Sequence, residues 1–384
     1  MQSFVPERGD VPGVHALVIG VSRYRHLFDG EDPTDAGRRA GMGQLSTAAA
    51  SAAEFAAWLL HAHKLRGRPL ASLRLLLSPT AGEALPAAIQ THRNRIPAAT
   101  KANVVSALGA FRQACEGHRD NIAFVYVAGH GVAVSKHDAT VLLEDFGHPA
   151  SLTELDASLA MASVHEGFND DRCARQQFWF VDCCRQPPAA ESHYASLAGG
   201  IGLDSRPGSA EVSPLYLAAA PDQRAYAKPG QVSLFYAALR EALEQGAAAE
   251  SLDPAQQRWE VTVNGLNTAL PAVVKAAADA HGVKQDVYAA GRHGQATLHE
   301  FDDAPRAQLC LSLDPASEGA TARASLLFNA SQLVADNLAP WPIEQQDLTS
   351  GLYLVRVRLG NGRDCDNLIR VAPRRTEKTI RVGA

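Results

Sequence analysis

Long hydrophobic runs are missing from this 384-residue chain. No window reaches about 18 uninterrupted apolar residues, and even Ala52 to Leu60 is broken by Glu54, so no membrane-spanning helix is expected. The opening MQSFVPERGD carries three charges and Pro6 without an apolar stretch, which fits neither a secretory signal nor an anchor. Cysteine is sparse: positions 115, 173, 183, 184, 310 and 365 show no repeating spacing, unlike a disulfide framework, and a reducing, cytoplasmic setting is the expectation. Positive charge is not in excess either. With 36 Lys and Arg against 41 Asp and Glu the net charge is −5, which gives no whole-chain field for a nucleic acid backbone.

Cofactor signatures are also wanting. The adjacent Cys183 and Cys184 lack the C-x₂₋₄-C spacing of a zinc site, and Gly20-Val21-Ser22-Arg23-Tyr24 lacks the glycines that cradle a pyrophosphate. No acidic loop of the EF-hand kind is present, so no metal and no cofactor is expected.

What the chain has is apolar material, 46% of its residues, at a length that suggests about two domains. Val14 to Val21 is a continuous apolar run, the pattern of a strand buried on both faces. Leu45 to Leu60 then shows helical spacing with Ser46 or Thr47 as N-cap, and Leu73 to Leu77 reads as a second strand. Thr100 caps a further helix, Asn121 to Val127 is a third strand, a short one follows at Thr140 to Glu144, and the apolar run from Gln177 ends at Asp182-Cys183-Cys184-Arg185. A strand at Leu215 to Ala220 and helices at Ser233 to Leu243 and Asn264 to Ala280 complete a βαβ rhythm. Residues 187–213, rich in Pro, Gly, Ser and Ala, read as a flexible loop. The pattern weakens between 285 and 305, which places a boundary there and gives domains of 1–290 and 300–384. Beyond it, short alternating runs such as Tyr353 to Arg358 predict a small antiparallel β-sandwich.

In open parallel sheets ligands bind outside the carboxyl ends of the strands, which is where His130 and Cys184 fall. A nucleophilic cysteine needs a nearby base and an oxyanion site, and the glycines flanking His130 leave backbone N–H groups accessible. Neighbouring side chains on an extended segment point to opposite faces, so Cys183 and Cys184 cannot both face His130.

The ordered blocks Phe124-Val125-Tyr126-Val127-Ala128-Gly129-His130-Gly131 and Phe180-Val181-Asp182-Cys183-Cys184-Arg185 resemble the caspase and metacaspase clan of cysteine peptidases. The 54 residues from His130 to Cys184 are close to the spacing of caspases. Leu17 to Val21 with Tyr24, Ala218-Ala219-Ala220 with Gln223 and Ala225, and Ser233 to Leu239 support the resemblance, which covers about 12–285. It implies an α/β fold, a caspase-like three-layer sandwich with a mostly parallel central sheet. Its Asp-x-Cys form selects Cys184 as nucleophile with His130 as acid and base, and Gly131 and Cys184 N–H as oxyanion donors; Cys183 then reads as a small buried residue. No third catalytic residue is implied.

For specificity, the resemblance implies that Asp182 lines the S1 pocket and favours Arg or Lys at P1. A second acidic S1 residue would fall near Ser51, where no acid stands. Asp222 is either its substitute or a turn former after Pro221. Family members are often cut within a loop during activation, which makes Arg185 and Arg206 candidate self-cleavage positions within 185–213. The resemblance further implies protein or peptide substrates and, for a bacterial-type member, a role in stress, cell death or antiphage defence.

Arg356 to Arg381 carries eight basic residues against three acidic ones, a local charge of +5. Two readings stay open: a surface for a nucleotide-like or protein activator, or a solvated sandwich face. Trp341, between Pro340 and Pro342, is a candidate for ligand stacking or core packing. Two other classes compete with the peptidase reading. One is a catalytically silent caspase-fold binding or signalling module, the other a thiol amidase of small substrates.

Overall fold

The computed structural model describes residues 3–5, 7, 11–133, 138–153, 155–185, 200–204, 208–228, 230–253 and 258–382. Two compact units divide the chain, Met1–Arg240 with Thr262–His299, and Glu241–Val261 with Glu300–Ala384. The chain thus crosses between units more than once, where the sequence suggests a single cut.

The first unit runs β1 (Val14–Val21), α1 (Asp35–Arg39), α2 (Ala48–His61), β2 (Leu70–Ser78), α3 (Ala87–Gln90), α4 (Lys101–Glu116) and β3 (Ile122–Ala128). Short strands β4 (Gly131–Val132), β5 (Thr140–Leu142) and β6 (Ser158–Ala160) lead to α5 (Met161–Phe168), β7 (Gln176–Asp182) and β8 (Ser213–Leu217). Then comes α6 (Leu234–Leu243), within which the chain passes to the second unit, where the hairpin strands β9 (Ala249–Asp253) and β10 (Arg258–Thr262) lie; α7 (Val263–Ala280) and β11 (Tyr288–Arg292) belong to the first unit again, and β12 (Thr297–Phe301) leads out of it. Six strands form the central sheet in the order β11-β8-β7-β3-β1-β2. All neighbours are parallel except β11, which runs antiparallel to β8.

Every residue of β1 and β3 is buried, as expected of strands covered on both faces. Alternation then sorts the side chains into two cores. Phe124, Tyr126 and Phe180 ring Phe55 of α2, while Val125, Val127 and Trp179 join Val104, Leu108 and Phe111 of α4. Tyr236 of α6 lies edge-on to Tyr126, and Phe168 of α5 lies against Trp179, so helices cover both faces and the architecture is the three-layer sandwich. No helix among the described residues is long and apolar enough to cross a membrane.

Two departures from the sequence pattern have physical causes. Thr47 precedes α2 without capping it; Ser22 Oγ and Glu83 Oε1 accept from the Ala49 and Ala50 amides at 2.9 and 2.7 Å. A cap from 27 and 33 residues away leaves no local signature. The stretch read as a boundary holds β11, whose Tyr-Ala-Ala-Gly-Arg carries too few large apolar residues to announce a strand.

In the second unit, β13 (Arg306–Asp314), β14 (Arg323–Phe328), β15 (Gln332–Leu338), β16 (Ile343–Thr349), β17 (Gly351–Arg358), β18 (Asp364–Val371) and β19 (Arg374–Arg381) make two sheets, β16-β13-β19 and β15-β14-β17-β18. They share a core built on Leu309, Leu311, Leu326, Tyr353, Val355 and Val357. Pairing is antiparallel apart from β13 and β19, which run parallel because β19 leaves the sheet of β18 for the other one. Trp341 packs against this core, and its indole N–H donates to the Ala322 carbonyl at 3.3 Å.

Five of the eight basic side chains in Arg356 to Arg381 stand in ion pairs. Arg356 meets Asp366 and Arg358 meets Asp364, each at 3.0 Å, Arg374 meets Glu241, Arg375 meets Glu377, and Arg381 meets Asp314. Exposed pairs of this kind stabilise by about 0–1 kcal/mol and leave the guanidinium groups already partnered. The local excess of positive charge is therefore mostly a paired, solvated face.

Phe55 is 1% exposed and touches rings from three elements. Replacing it with Ala should cost about 3–5 kcal/mol in urea unfolding of the first unit. A loss below about 1 kcal/mol would mean that α2 does not seal this face.

Candidate active site

Parallel pairing of β3 with β7 sets Ala128 opposite Asp182, and the Gly129 amide donates to the Asp182 carbonyl at 3.3 Å. Both strands thus end at the same level, and His130 and Cys184 each stand two residues past their strand's end. Gly131 makes the approach possible. A Cβ there would lie 2.5 Å from both Cys183 Sγ and the Cys184 carbonyl oxygen, closer than real atoms pack.

Tyr24, fully buried, seats the histidine. Its hydroxyl accepts from the His130 amide at 2.7 Å and donates to the Val21 carbonyl at 3.2 Å, while its ring lies 5.0 Å from the imidazole. The imidazole Nε2 is 2.7 Å from the Gly43 carbonyl oxygen. A carbonyl only accepts, so Nε2 carries the hydrogen and Nδ1 keeps its lone pair. Burial pushes the His130 pKa below its usual value, against the opposing pull of the Gly43 carbonyl and the Asp29 carboxylate. The ring is therefore neutral and a proton acceptor at Nδ1.

The two cysteines part as alternation requires. Cys183 is 2% exposed, sits in the apolar core, and burial holds its thiol well above the ordinary range. Cys184 is half-buried, and its Sγ lies 3.7 Å from the Ala225 carbonyl oxygen. Burial raises its pKa, with the Ala225 backbone and Arg224 pulling the other way, so the resting thiol is protonated. Among the described residues no hydrogen bond joins Sγ to the imidazole; catalytic pairs without substrate are often this loose.

Asp182 turns to the α2 and α6 side. Its Oδ2 accepts from Tyr126 Oη at 2.7 Å and from Ser233 Oγ, so both hydroxyls converge on one oxygen, and among the described residues no donor meets Oδ1. Burial raises the carboxyl to about 6, against the pull of both hydroxyls. Ser51, 0% exposed, stands behind Ser233: its Oγ accepts the Ser233 amide at 3.0 Å and donates to the Thr47 carbonyl at 2.8 Å. Ser51 thus supports the carboxylate's partner instead of facing a substrate.

Asp222 occupies an exposed turn at φ +65°, with its amide on the Arg185 carbonyl at 3.0 Å. No hydrogen bond or ion pair joins it to Asp182 among the described residues. Its placement matches the turn-forming reading, since Asp tolerates the left-handed region better than most residues.

Arg185 is 0% exposed, with its guanidinium over the Tyr288 ring at 4.9 Å and bonded to the Ala219 and Asp138 carbonyls. A cleavable P1 residue must extend into a cleft, which an interior arginine cannot do, so the expectation of a cut at Arg185 is withdrawn. Arg206 and most of the 187–213 loop lie outside the described residues.

Sequence reasoning misses Gly43, whose contribution is a main-chain carbonyl, and the hydroxyls of Tyr126 and Ser233. Among the described residues no group of three His, Cys, Asp or Glu side chains could hold a metal ion. The family model described as Caspase domain matches residues 14–275. No curated protein matches the chain.

Native alkylation with iodoacetamide, mapped by peptide mass, should modify Cys184 and spare Cys183. Because burial raises the Cys184 thiol, the rate should climb with pH through and beyond neutrality. A rate already on its plateau at pH 7 would contradict this electrostatic picture.

Proposed function

The chain belongs to the caspase-domain peptidase family, and we propose that it is a cysteine endopeptidase in which Cys184 and His130 cut peptide bonds after basic residues. One observation carries the reading: two strand ends held level by the β3–β7 register, one bearing an imidazole with a free Nδ1 and the other a half-buried thiol.

Substrate entering the cleft draws the thiol from the Ala225 carbonyl toward Nδ1, which takes its proton. The thiolate attacks the scissile carbonyl, and the oxyanion is met by the Gly131 and Cys184 amides. The imidazolium, stabilised by the Gly43 carbonyl and Asp29, returns the proton to the leaving amine; a water activated at Nδ1 then hydrolyses the thioester. Oδ1 of Asp182, which meets no donor among the described residues, pairs with a guanidinium or ammonium at P1, an arrangement worth more in this buried setting than on the surface.

A catalytically silent module is the competing reading, favoured by the thiol's bond to Ala225 in place of the imidazole. The ion-paired basic face of the second unit gives an anionic or nucleotide-like activator little to recognise. Regulation through that unit, and a place in bacterial stress, cell-death or antiphage defence, stay with the family resemblance. Self-cleavage, moved off Arg185, falls to the segment beyond it.

Peptide libraries varied at P1 separate the readings. Wild type should cleave after Arg or Lys, Cys184→Ala and His130→Ala should lose activity by at least 10³-fold, and Cys183→Ser should retain most of it. Cleavage after Asp, or activity that follows Cys183, would overturn the proposal; no cleavage by wild type favours the silent module.

Asp182→Asn should lower kcat/KM for Arg substrates about 10- to 100-fold, the worth of a hydrogen bond to a charged group. Because the Asp182 carboxyl is raised to about 6, it becomes neutral as pH falls through that value. The preference for Arg over a neutral P1 should therefore fade below pH 6 in wild type and be flat in Asp182→Asn. An unchanged preference down to pH 4.5 would remove Asp182 from the pocket.

A further inference from the structure

A main-chain carbonyl that orients a catalytic imidazole cannot be placed by its own side chain, least of all when it belongs to glycine. Its position depends on whatever holds its loop. Gly43 lies in an irregular stretch between α1 and α2, and the neighbouring residue, Gln44, has every polar atom of its side chain engaged. Gln44 Oε1 accepts from the Tyr24 amide at 2.6 Å, and Nε2 donates to the Tyr24 carbonyl at 2.9 Å. The second hydrogen of Nε2 goes to Asp29 Oδ1 at 3.1 Å, and the Gln44 amide to Asp29 Oδ2 at 3.0 Å.

This pattern has one orientation. With Oε1 against an N–H and Nε2 against a carbonyl and a carboxylate, flipping the amide would set like against like at all three contacts. Gln44 thus does for the loop what a neighbouring strand does in a sheet, pairing with both main-chain groups of Tyr24. The same Tyr24 holds the His130 amide through its hydroxyl. The backbone and the ring of His130 are consequently tied to one residue, the first directly and the second through Gln44 and the Gly43 carbonyl.

We propose that Gln44, braced by Asp29, is a positioning residue that fixes the tautomer of His130 by pinning the Gly43 carbonyl; its catalytic consequence rests on the peptidase reading above. Gln44→Met keeps length and volume but removes all three side-chain bonds. Gln44→Glu keeps one acceptor and sets carboxylate oxygens against the Tyr24 carbonyl and Asp29. Asp29 is exposed, so Asp29→Asn can be made without disturbing the core, and it weakens the brace while leaving Gln44 on Tyr24.

The test uses the full chain with ¹⁵N-labelled histidine, in a Cys184→Ala background so that no proteolysis intervenes. The His130 resonances, assigned by their loss in His130→Ala, should show a hydrogen on Nε2 alone in the parent. Gln44→Met should mix the two tautomers, and Asp29→Asn should shift them in the same direction by less. In the Cys184 enzyme, kcat should fall about 10- to 100-fold in Gln44→Met with KM within about twofold, as expected when a base is misplaced by about 1 Å. Unchanged ¹⁵N shifts in both variants overturn the proposal whether or not the protein cleaves peptides. Tautomer mixing in Gln44→Met, with a wild type that holds one tautomer yet cleaves nothing, supports the positioning role and overturns the peptidase reading instead. A Gln44→Met chain that fails to fold leaves Asp29→Asn to decide: shifted tautomers support the proposal, unshifted ones overturn it.

Discussion

The pairing of Ala128 with Asp182 is the constraint on which the rest of the site depends. A slip of one residue between β3 and β7 would turn every side chain of one strand to the other face and carry His130 away from Cys184. The register is held by two dissimilar cores. Aromatic rings around Phe55 grip the even-numbered residues, and aliphatic side chains packed on α4 grip the odd ones. Chemistry at the strand ends is thus fixed by packing well inside the sheet.

Above that platform, polar contacts do the finer setting. One phenol, Tyr24, takes the His130 amide, a loop carbonyl takes the imidazole N–H, and the missing side chain of Gly131 lets the cysteine segment pack alongside. Burial raises the thiol and lowers the imidazole, so the resting pair is neutral and stores no separated charge. In the proposed mechanism proton transfer waits on substrate, which supplies the carbonyl that makes a thiolate worthwhile. The same economy governs Asp182, whose buried carboxylate is kept by two hydroxyls on a single oxygen.

Much of this is legible in the sequence where apolar continuity or a chemical side chain marks it. The runs of β1, β3 and β7 announce a buried parallel sheet, and Gly-His-Gly and Asp-x-Cys-Arg mark its working end. What escapes is information held far along the chain or in the main chain itself. The caps of α2 come from Ser22 and Glu83, the imidazole's partner is the carbonyl of Gly43, and the burial of Arg185 depends on a tyrosine about a hundred residues away. Strands β15 and β16 stay hidden because β15 is exposed over most of its length, β16 is buried at only two of its seven residues, and neither shows alternation. Charge counting also misleads in the second unit, where cross-strand Asp and Arg cancel in space what looks like a basic tail in one dimension.

In the proposed peptidase Cys184, not its neighbour, is the nucleophile, and His130 serves it. A peptidyl acyloxymethyl ketone with Arg at P1 forms a thioether only with a sulfur seated at the reacting carbon and assisted by a base. Incubated with the native chain and mapped by peptide mass spectrometry, it should leave one adduct at the strand end, on Cys184, and that adduct should vanish in His130→Ala. An adduct on Cys183, or labelling of Cys184 undiminished without the imidazole, would contradict the account.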